Sequence, residues 1–211
     1  MVNPWKNALM DRHGWNERYA ARPQTFPLGP NRLVAEEVGP LPPGVALDLA
    51  TGEGRHAVWL ASSGWKVLAA DFAEVGLRKA QARARPGELA ISWALADVRL
   101  LRFPPDAFDL VLSAFIATRP PERPLLFPAI ARSLRPGGMF LTVGYDETNP
   151  PGSAGPQDPD LLLRPAALAE ELSALGLEVR RAETVPSKAV RGDGSEVDVV
   201  NAVIAAVRSV P

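Results

Sequence analysis

Leu47-Asp48-Leu49-Ala50-Thr51-Gly52-Glu53-Gly54-Arg55-His56-Ala57 runs from an apolar strand pattern, through two glycines, into a helical one. The strand, Val45 to Ala50, follows the breaker Pro42-Pro43-Gly44, and the helix, Arg55 to Ser63, stops at Gly64. The loop between them fits G-x-G-x-x-A, in which missing Cβ atoms let a ligand lie against the backbone. The next strand, Lys66 to Asp71, ends in an acid seventeen residues after Gly54. A carboxylate there can accept hydrogen bonds from both hydroxyls of a ribose. Glycine loop and acid together imply a nucleoside-containing cofactor on a parallel sheet.

Outward from this unit, apolar runs and helical patterns keep alternating, the pattern of a parallel sheet wrapped by helices. Ala73 to Ala84 reads as a helix, Ile91 to Asp97 and Phe108 to Ile116 as buried strands, and Glu122 to Leu134 as a helix. Pro104-Pro105 leaves room for at most a short helix between those two strands. Pro136-Gly137-Gly138 is expected to end the Glu122 helix before a fifth strand, Met139 to Tyr145. Asp146 to Arg164 has no periodicity and six Pro and Gly residues, so it reads as a functional cover or a disordered loop. Pro165 opens a further helix. Leu177 to Val185 and Val197 to Val207 follow as strands around the turn Gly192-Asp193-Gly194; with no helix between them, they pair antiparallel. Trp15 to Ala21 and Arg32 to Val38 are expected to lie as helices across the sheet. The domain expectation is therefore one unit over 1–211, a helical cover at 1–40 and a core at 45–208.

Composition narrows the chemistry. The 211 residues carry 23 Lys and Arg against 24 Asp and Glu, with no Cys and two His. Disulfides, thiolate nucleophiles and Cys-based metal sites are excluded, and His13 with His56 alone cannot fill a His-rich site, so no metal is expected. A net charge of −1 leaves no global footprint for a phosphate backbone, so nucleic acid is not expected as a partner. Neither a signal-peptide pattern nor eighteen consecutive apolar residues is present, and the expectation is a cytoplasmic protein with no membrane partner.

Three features favour S-adenosylmethionine over a dinucleotide: Asp48 inside the first strand, Asp97 closing the third, and the antiparallel pair after a fifth strand. The pattern over residues 30 to 208 resembles the class I S-adenosylmethionine-dependent methyltransferases. Leu47 to Arg55, Trp59-Leu60-Ala61 with Gly64, Trp15-Asn16-Glu17-Arg18-Tyr19 and Leu161-Leu162-Leu163-Arg164-Pro165 resemble the tellurite-resistance TehB-like branch, itself similar to the thiopurine methyltransferases. Thr51 stands where that branch commonly has cysteine, and His56 where asparagine often follows the arginine; a backbone-lined loop tolerates both.

The resemblance implies a Rossmann-like three-layer α/β sandwich whose seven-stranded, mostly parallel sheet has order 3-2-1-4-5-7-6 with the last strand antiparallel. Its crevice lies where strand order reverses, between strands one and four. It implies that the methionine end of S-adenosylmethionine runs along Ala50, Thr51 and Gly52, with Asp48, Gly54 and Ser113 nearby. Asp71 takes the ribose, Phe72 covers the adenine, and Asp97 with Val98 reads its edge. Trp15, Tyr19, Phe115 and Arg119 are the candidates for contact with a small-molecule methyl acceptor. Methyl transfer from a sulfonium depends on alignment and water exclusion more than on acid–base groups. If a base is used, the candidates are Tyr145, Asp146 and His13.

Asn149-Pro150-Pro151 follows strand five and ends in Gly152, so it lacks the place and the aromatic of the motif used for methylating amino groups of bases or glutamine. Two other classes compete: an NAD(P)-dependent oxidoreductase on a related sheet, and a non-catalytic S-adenosylmethionine-binding protein. Neither tyrosine begins Tyr-x-x-x-Lys, since Pro23 follows Tyr19 and Asn149 follows Tyr145 at that spacing.

Overall fold

A computed structural model describes residues 11–116, 118–190 and 195–210. The Gly192-Asp193-Gly194 turn lies outside the described residues. The sheet has order β3-β2-β1-β4-β5-β7-β6, as the resemblance implies. Strands β1 (Val45–Leu49), β2 (Lys66–Asp71), β3 (Ile91–Leu95), β4 (Phe108–Ala114) and β5 (Leu134–Tyr145) run parallel; β7 (Glu196–Arg208) is antiparallel to both β5 and β6 (Leu177–Val190).

Period-two side-chain direction divides the core into two layers. Leu47 and Leu49 of β1, Val111 of β4 and Ile204 of β7 pack on one face with α5 (Arg123–Ser133) and α6 (Pro165–Ala174). Ala46, Leu110, Leu112 and Val203 pack on the other with α2 (Arg32–Val38) and α3 (Arg55–Ser62). Leu33, Leu47, Leu60, Leu110 and Leu172 are fully buried, each stabilising the fold by about 1.5–3 kcal/mol relative to exposure. Among the described residues, no helix is long and apolar enough to cross a membrane.

Two expectations change. Strand β5 begins at Leu134, directly after α5, because Leu134 already pairs with Phe108. Pro136-Gly137-Gly138 therefore forms a register shift inside the strand, with Gly137 at φ 80°. Residues 96–107, between β3 and β4, contain no helix, within the expectation of at most a short one. Strands β6 and β7 run further than expected: Pro186–Val190 and Glu196–Val200 pair with each other beyond Tyr145, the last residue of β5. This end of the hairpin overhangs the carboxyl ends of the parallel strands.

The N-terminal segment is a cap at that same end. Asp11 caps α1 (Arg12–Ala20) by accepting from Gly14 N at 2.9 Å, and Asn16 of α1 accepts from Val75 N at 2.9 Å. Helix α4 (Glu74–Ala84) has no side-chain cap of its own at Ala73, so α1 supplies one. Lys79 of α4 in turn donates to the Tyr19 carbonyl.

Gly54 is a tightly packed point of this assembly. Its φ is 75°, and a Cβ there would lie 2.7 Å from Ala80 Cβ and 3.2 Å from Trp93. Gly54→Ala should lower stability by about 1–3 kcal/mol, from left-handed strain plus displacement of α4, and urea unfolding monitored by circular dichroism measures it.

Candidate functional site

Where β1 and β4 part, both strands exit into left-handed backbone. Ala50 has φ 52° and Phe115 φ 60°, conformations that cost a non-glycine residue about 1–2 kcal/mol each. Beyond these two turns lies a cleft of about 1650 Å³, above the usual range for a single small ligand. Ala50, Thr51 and Gly52 line one wall, and Ala114, Phe115 and Ile116 line the other. The cap residues Trp15, Tyr19 and Phe26, the 152–156 segment and the overhanging Ser187–Val190 enclose the rest.

The loop after β1 is held by acids. Asp48 is fully buried on the α3 face of β1 and accepts from Thr51 Oγ1 at 2.6 Å. Burial pushes its carboxyl up to about 7, against the opposing hydrogen bonds from Thr51 and the Ala57 amide. Asp71 accepts from Gly52 N at 2.8 Å and from Ala73 N at 2.7 Å, so one carboxylate joins the loop after β1 to the start of α4. Burial raises its pKa, and the amides oppose the rise. Glu53 accepts from Thr25 N at 2.9 Å and Phe26 N at 3.2 Å and meets Lys79 Nζ at 3.1 Å. His56 accepts from Asn31 N at 3.2 Å, and burial lowers its pKa to about 3, so it is neutral. Loop residues between and after the glycines thereby anchor the cap over the cleft.

The expected cofactor residues fall into two groups. Ala50, Thr51, Gly52, Asp71, Phe72, Asp97 and Val98 all line the cleft. Asp97 is held by Arg99, whose Nε and Nη2 donate at 2.9 and 2.6 Å and keep the carboxyl below its ordinary range. Asp48, Gly54 and Ser113 stand behind the wall: Asp48 braces Thr51, Gly54 faces α4, and Ser113 is buried in β4 between Leu49 and Thr142.

Among the acceptor candidates, Trp15, Tyr19 and Phe115 line the cleft. Trp15 and Tyr19 stack at 5.4 Å with Phe26 beside them, and the Arg18 guanidinium lies 5.2 Å from the Trp15 ring and 5.1 Å from Phe26. The Tyr19 hydroxyl sits over Gly52, 2.6 Å from where a Cβ would stand. Arg119 instead bonds Asp158 at 2.7 Å and Asp160 at 3.5 Å, tying the 146–164 segment to the exit of β4.

Of the candidate bases, Tyr145 alone reaches the cleft, stacked edge-on at 5.4 Å against Phe115. Burial raises its pKa, with Arg18 and Arg55 opposing the rise. Asp146 is buried and accepts from Thr148 N, Thr148 Oγ1 and Thr184 Oγ1 at 2.6–2.9 Å, which makes it a brace for the loop that follows. His13 lies on the exposed side of α1 beside Glu17 at 3.2 Å. The 146–164 segment is ordered by its own bonds: Asn149 accepts from Val200 N at 2.9 Å and donates to the Ala154 carbonyl at 2.9 Å.

Sequence reading missed Asn201 and the overhang residues 187–190. Asn201 interrupts the apolar run Val199-Val200-Asn201-Ala202-Val203-Ile204 and is the visible signal; it lies opposite Tyr145 with its side chain in the cleft wall.

Residues 46–138 match the family model of the methyltransferase domain. A demethylmenaquinone methyltransferase of Clavibacter sepedonicus is 36 % identical over 95 residues, 45 % of this chain and 38 % of that one. The chain spans two fifths to one half of the length of most curated relatives it matches. A structure described under the conversion of a disulfide into a thioacetal in echinomycin biosynthesis superposes with TM-score 0.76 at 20 % identity, covering 94 % of this chain and 92 % of that one. TehB from Haemophilus influenzae superposes with TM-score 0.69 at 19 % identity, covering 83 % and 61 %. The fold is the Rossmann-like methyltransferase fold, and TehB is one neighbour among many.

The shifted Asp48 carboxyl sets a pH prediction. Its folded pKa lies above the unfolded value of about 4, so its contribution is most favourable below pH 4 and is lost as pH rises through 7. Asp48→Asn removes that loss. The stability difference between variant and wild type should move in favour of the variant by up to about 4 kcal/mol from pH 4 to pH 8, read by urea unfolding at each pH.

Proposed function

We propose that the protein is an S-adenosylmethionine-dependent methyltransferase acting on a small-molecule nucleophile. The observation that carries this reading is the pairing of Gly52 N with the Asp71 carboxylate inside the cleft. It sets a backbone-lined loop and a ribose-binding acid side by side at the point where strand order reverses. The cofactor is S-adenosylmethionine: its methionine end lies along Ala50, Thr51 and Gly52, its ribose against Asp71, and its adenine between Phe72 and the Asp97-Val98 edge. Each Asp71 oxygen accepts one protein amide and keeps lone pairs for ribose hydroxyls. The cleft also has room for a second molecule.

When bound, the cofactor supplies an electrophilic methyl group on a sulfonium. The residues of the chain position and enclose. Trp15, Tyr19 and Phe26 cover the loop side, Phe115 and Tyr145 form the opposite wall, and the 152–156 segment closes over Tyr145, whose ring stands 2.5 Å from a Cβ built on Gly155. Holding donor and acceptor in line in a water-poor cleft supplies most of the acceleration such a transfer needs.

Calorimetry should show S-adenosylhomocysteine binding to the whole chain and no comparable binding of NAD. NAD binding alone would overturn the proposal. Asp71→Ala should weaken S-adenosylhomocysteine by about 1.5–3 kcal/mol, the scale for lost bonds to a charged acceptor.

A further inference from the structure

We infer that residues 21–31 form a strap that opens and closes over the cofactor loop, and that the Lys79–Glu53 ion pair is its latch. The inference rests on the methyltransferase reading for the identity of the ligand beneath the strap.

The strap joins α1 to α2 and has no helix or strand of its own. Pro23, Pro27, Gly29 and Pro30 keep it out of both. Its ends are fixed. Tyr19 of α1 and Leu33 and Val34 of α2 are buried, and the Asn31 amide donates to His56 Nε2 at 3.2 Å. Between these ends most of the strap is exposed, with Thr25, Phe26 and Pro30 half-buried. Its inner side, from Arg22 to Pro27, lines the cleft.

The middle of the strap hangs from two side chains. Among the described residues, the backbone from Arg22 to Pro30 bonds to the rest of the chain only through Lys79 and Glu53. The Lys79 ammonium donates to the Tyr19 and Arg22 carbonyls and meets Glu53 Oε1 at 3.1 Å. The Glu53 carboxylate accepts from Thr25 N at 2.9 Å and from Phe26 N at 3.2 Å. The cation takes the carbonyls and the anion takes the amides, so every attachment is charge-assisted. A segment with few buried apolar contacts and no backbone ladder opens locally, at a free energy well below that of global unfolding.

The latch belongs to the loop that receives the ligand. Glu53 stands between Gly54 and Gly52, whose amide is fixed by Asp71, and the Glu53 carbonyl accepts from Arg83 Nη1 at 2.9 Å. A ligand lying along Ala50, Thr51 and Gly52 steadies this loop, and with it the carboxylate that carries Thr25 and Phe26. By linkage, the closed strap holds the ligand more tightly by the same factor. Phe26 stands 6.4 Å from both Trp15 and Tyr19, so an opening strap withdraws one ring of the aromatic cover.

Two measurements on the full chain test this: amide hydrogen exchange followed by NMR, and the dissociation rate of S-adenosylhomocysteine by displacement. In the wild type the Thr25 and Phe26 amides should exchange faster than those of Leu47 and Leu49 in β1, and saturating S-adenosylhomocysteine should slow them. Lys79→Met should speed both the exchange of these two amides and the dissociation of S-adenosylhomocysteine at least about tenfold, the scale for lost charge-assisted bonds. The Asn31 amide, held by His56, and the β1 amides should keep their wild-type rates, a pattern that general destabilisation does not give. Glu53→Gln keeps an acceptor for the amides without the charge and should fall between; it carries the same comparison if Lys79→Met does not fold. Exchange of Thr25 and Phe26 at the rate of the β1 amides overturns the inference, because the strap is then a fixed wall. Fast exchange in the variants with S-adenosylhomocysteine leaving at the wild-type rate also overturns it, and leaves the methyltransferase reading standing. Failure of the wild type to bind S-adenosylhomocysteine overturns that reading, and the inference with it.

Discussion

The carboxylate of Asp71 receives the amide of Gly52 on one oxygen and that of Ala73 on the other, and the cleft takes its shape from this pair of bonds. Gly52 belongs to the loop after β1 and Ala73 to the start of α4, so one buried acid sets the spacing between the two strand ends that flank the cleft. Burying a carboxylate is costly unless amides compensate it, and here both amides come from the segments that need positioning. Asp48 acts on the other side of the same loop through Thr51. Glu53 extends the arrangement outward, because the amides it accepts belong to the cap over the cleft. The three acids hold loop, helix and cap in one register.

The parallel core is legible in the sequence because its signals are local. A glycine loop between a strand and a helix, an acid at the end of the next strand, and Pro or Gly at each boundary are all read within short windows. The order of the strands followed from the resemblance as a whole. What stayed out of reach depends on distant pairing. The extension of β6 and β7 past Asn201 is made by the two strands' own ladder with Val200 tied to Asp146 N and Asn149 Oδ1, and Pro186 sits in it with no local sign of continuation. Leu134 becomes strand because Phe108 stands beside it, a contact with no trace near Pro136.

The site divides along the same line. Gly52 and Asp71 are found from spacing, and Ala50, Thr51 and Phe72 from the resemblance; all five line the cleft. Arg119 and Asp146 have the right chemistry and position along the chain, yet each is consumed by partners: Arg119 by two acids some forty residues on, Asp146 by Thr148 and Thr184. A charged residue at a strand end is a functional candidate only while nothing nearby neutralises it, and that condition is three-dimensional. Asn201 shows the converse: a lone amide in an apolar strand is visible in sequence, and its place in the cleft wall is seen only once the strands are paired.

The overhang of β6 and β7 has a consequence for how this protein can change. Among the described residues, 187–190 and 196–199 form ladder pairs only with each other, whereas Val200 also accepts from Asp146 N and donates to Asn149 Oδ1. Ser187, Lys188, Ala189 and Val190 nevertheless form part of the cleft wall. Substitutions at Ser187–Val190 can therefore alter the cleft wall without touching the loop held by Asp48, Glu53 and Asp71. The boundary between the loop-side wall and this ribbon runs across one strand pair at Tyr145 and Asn201.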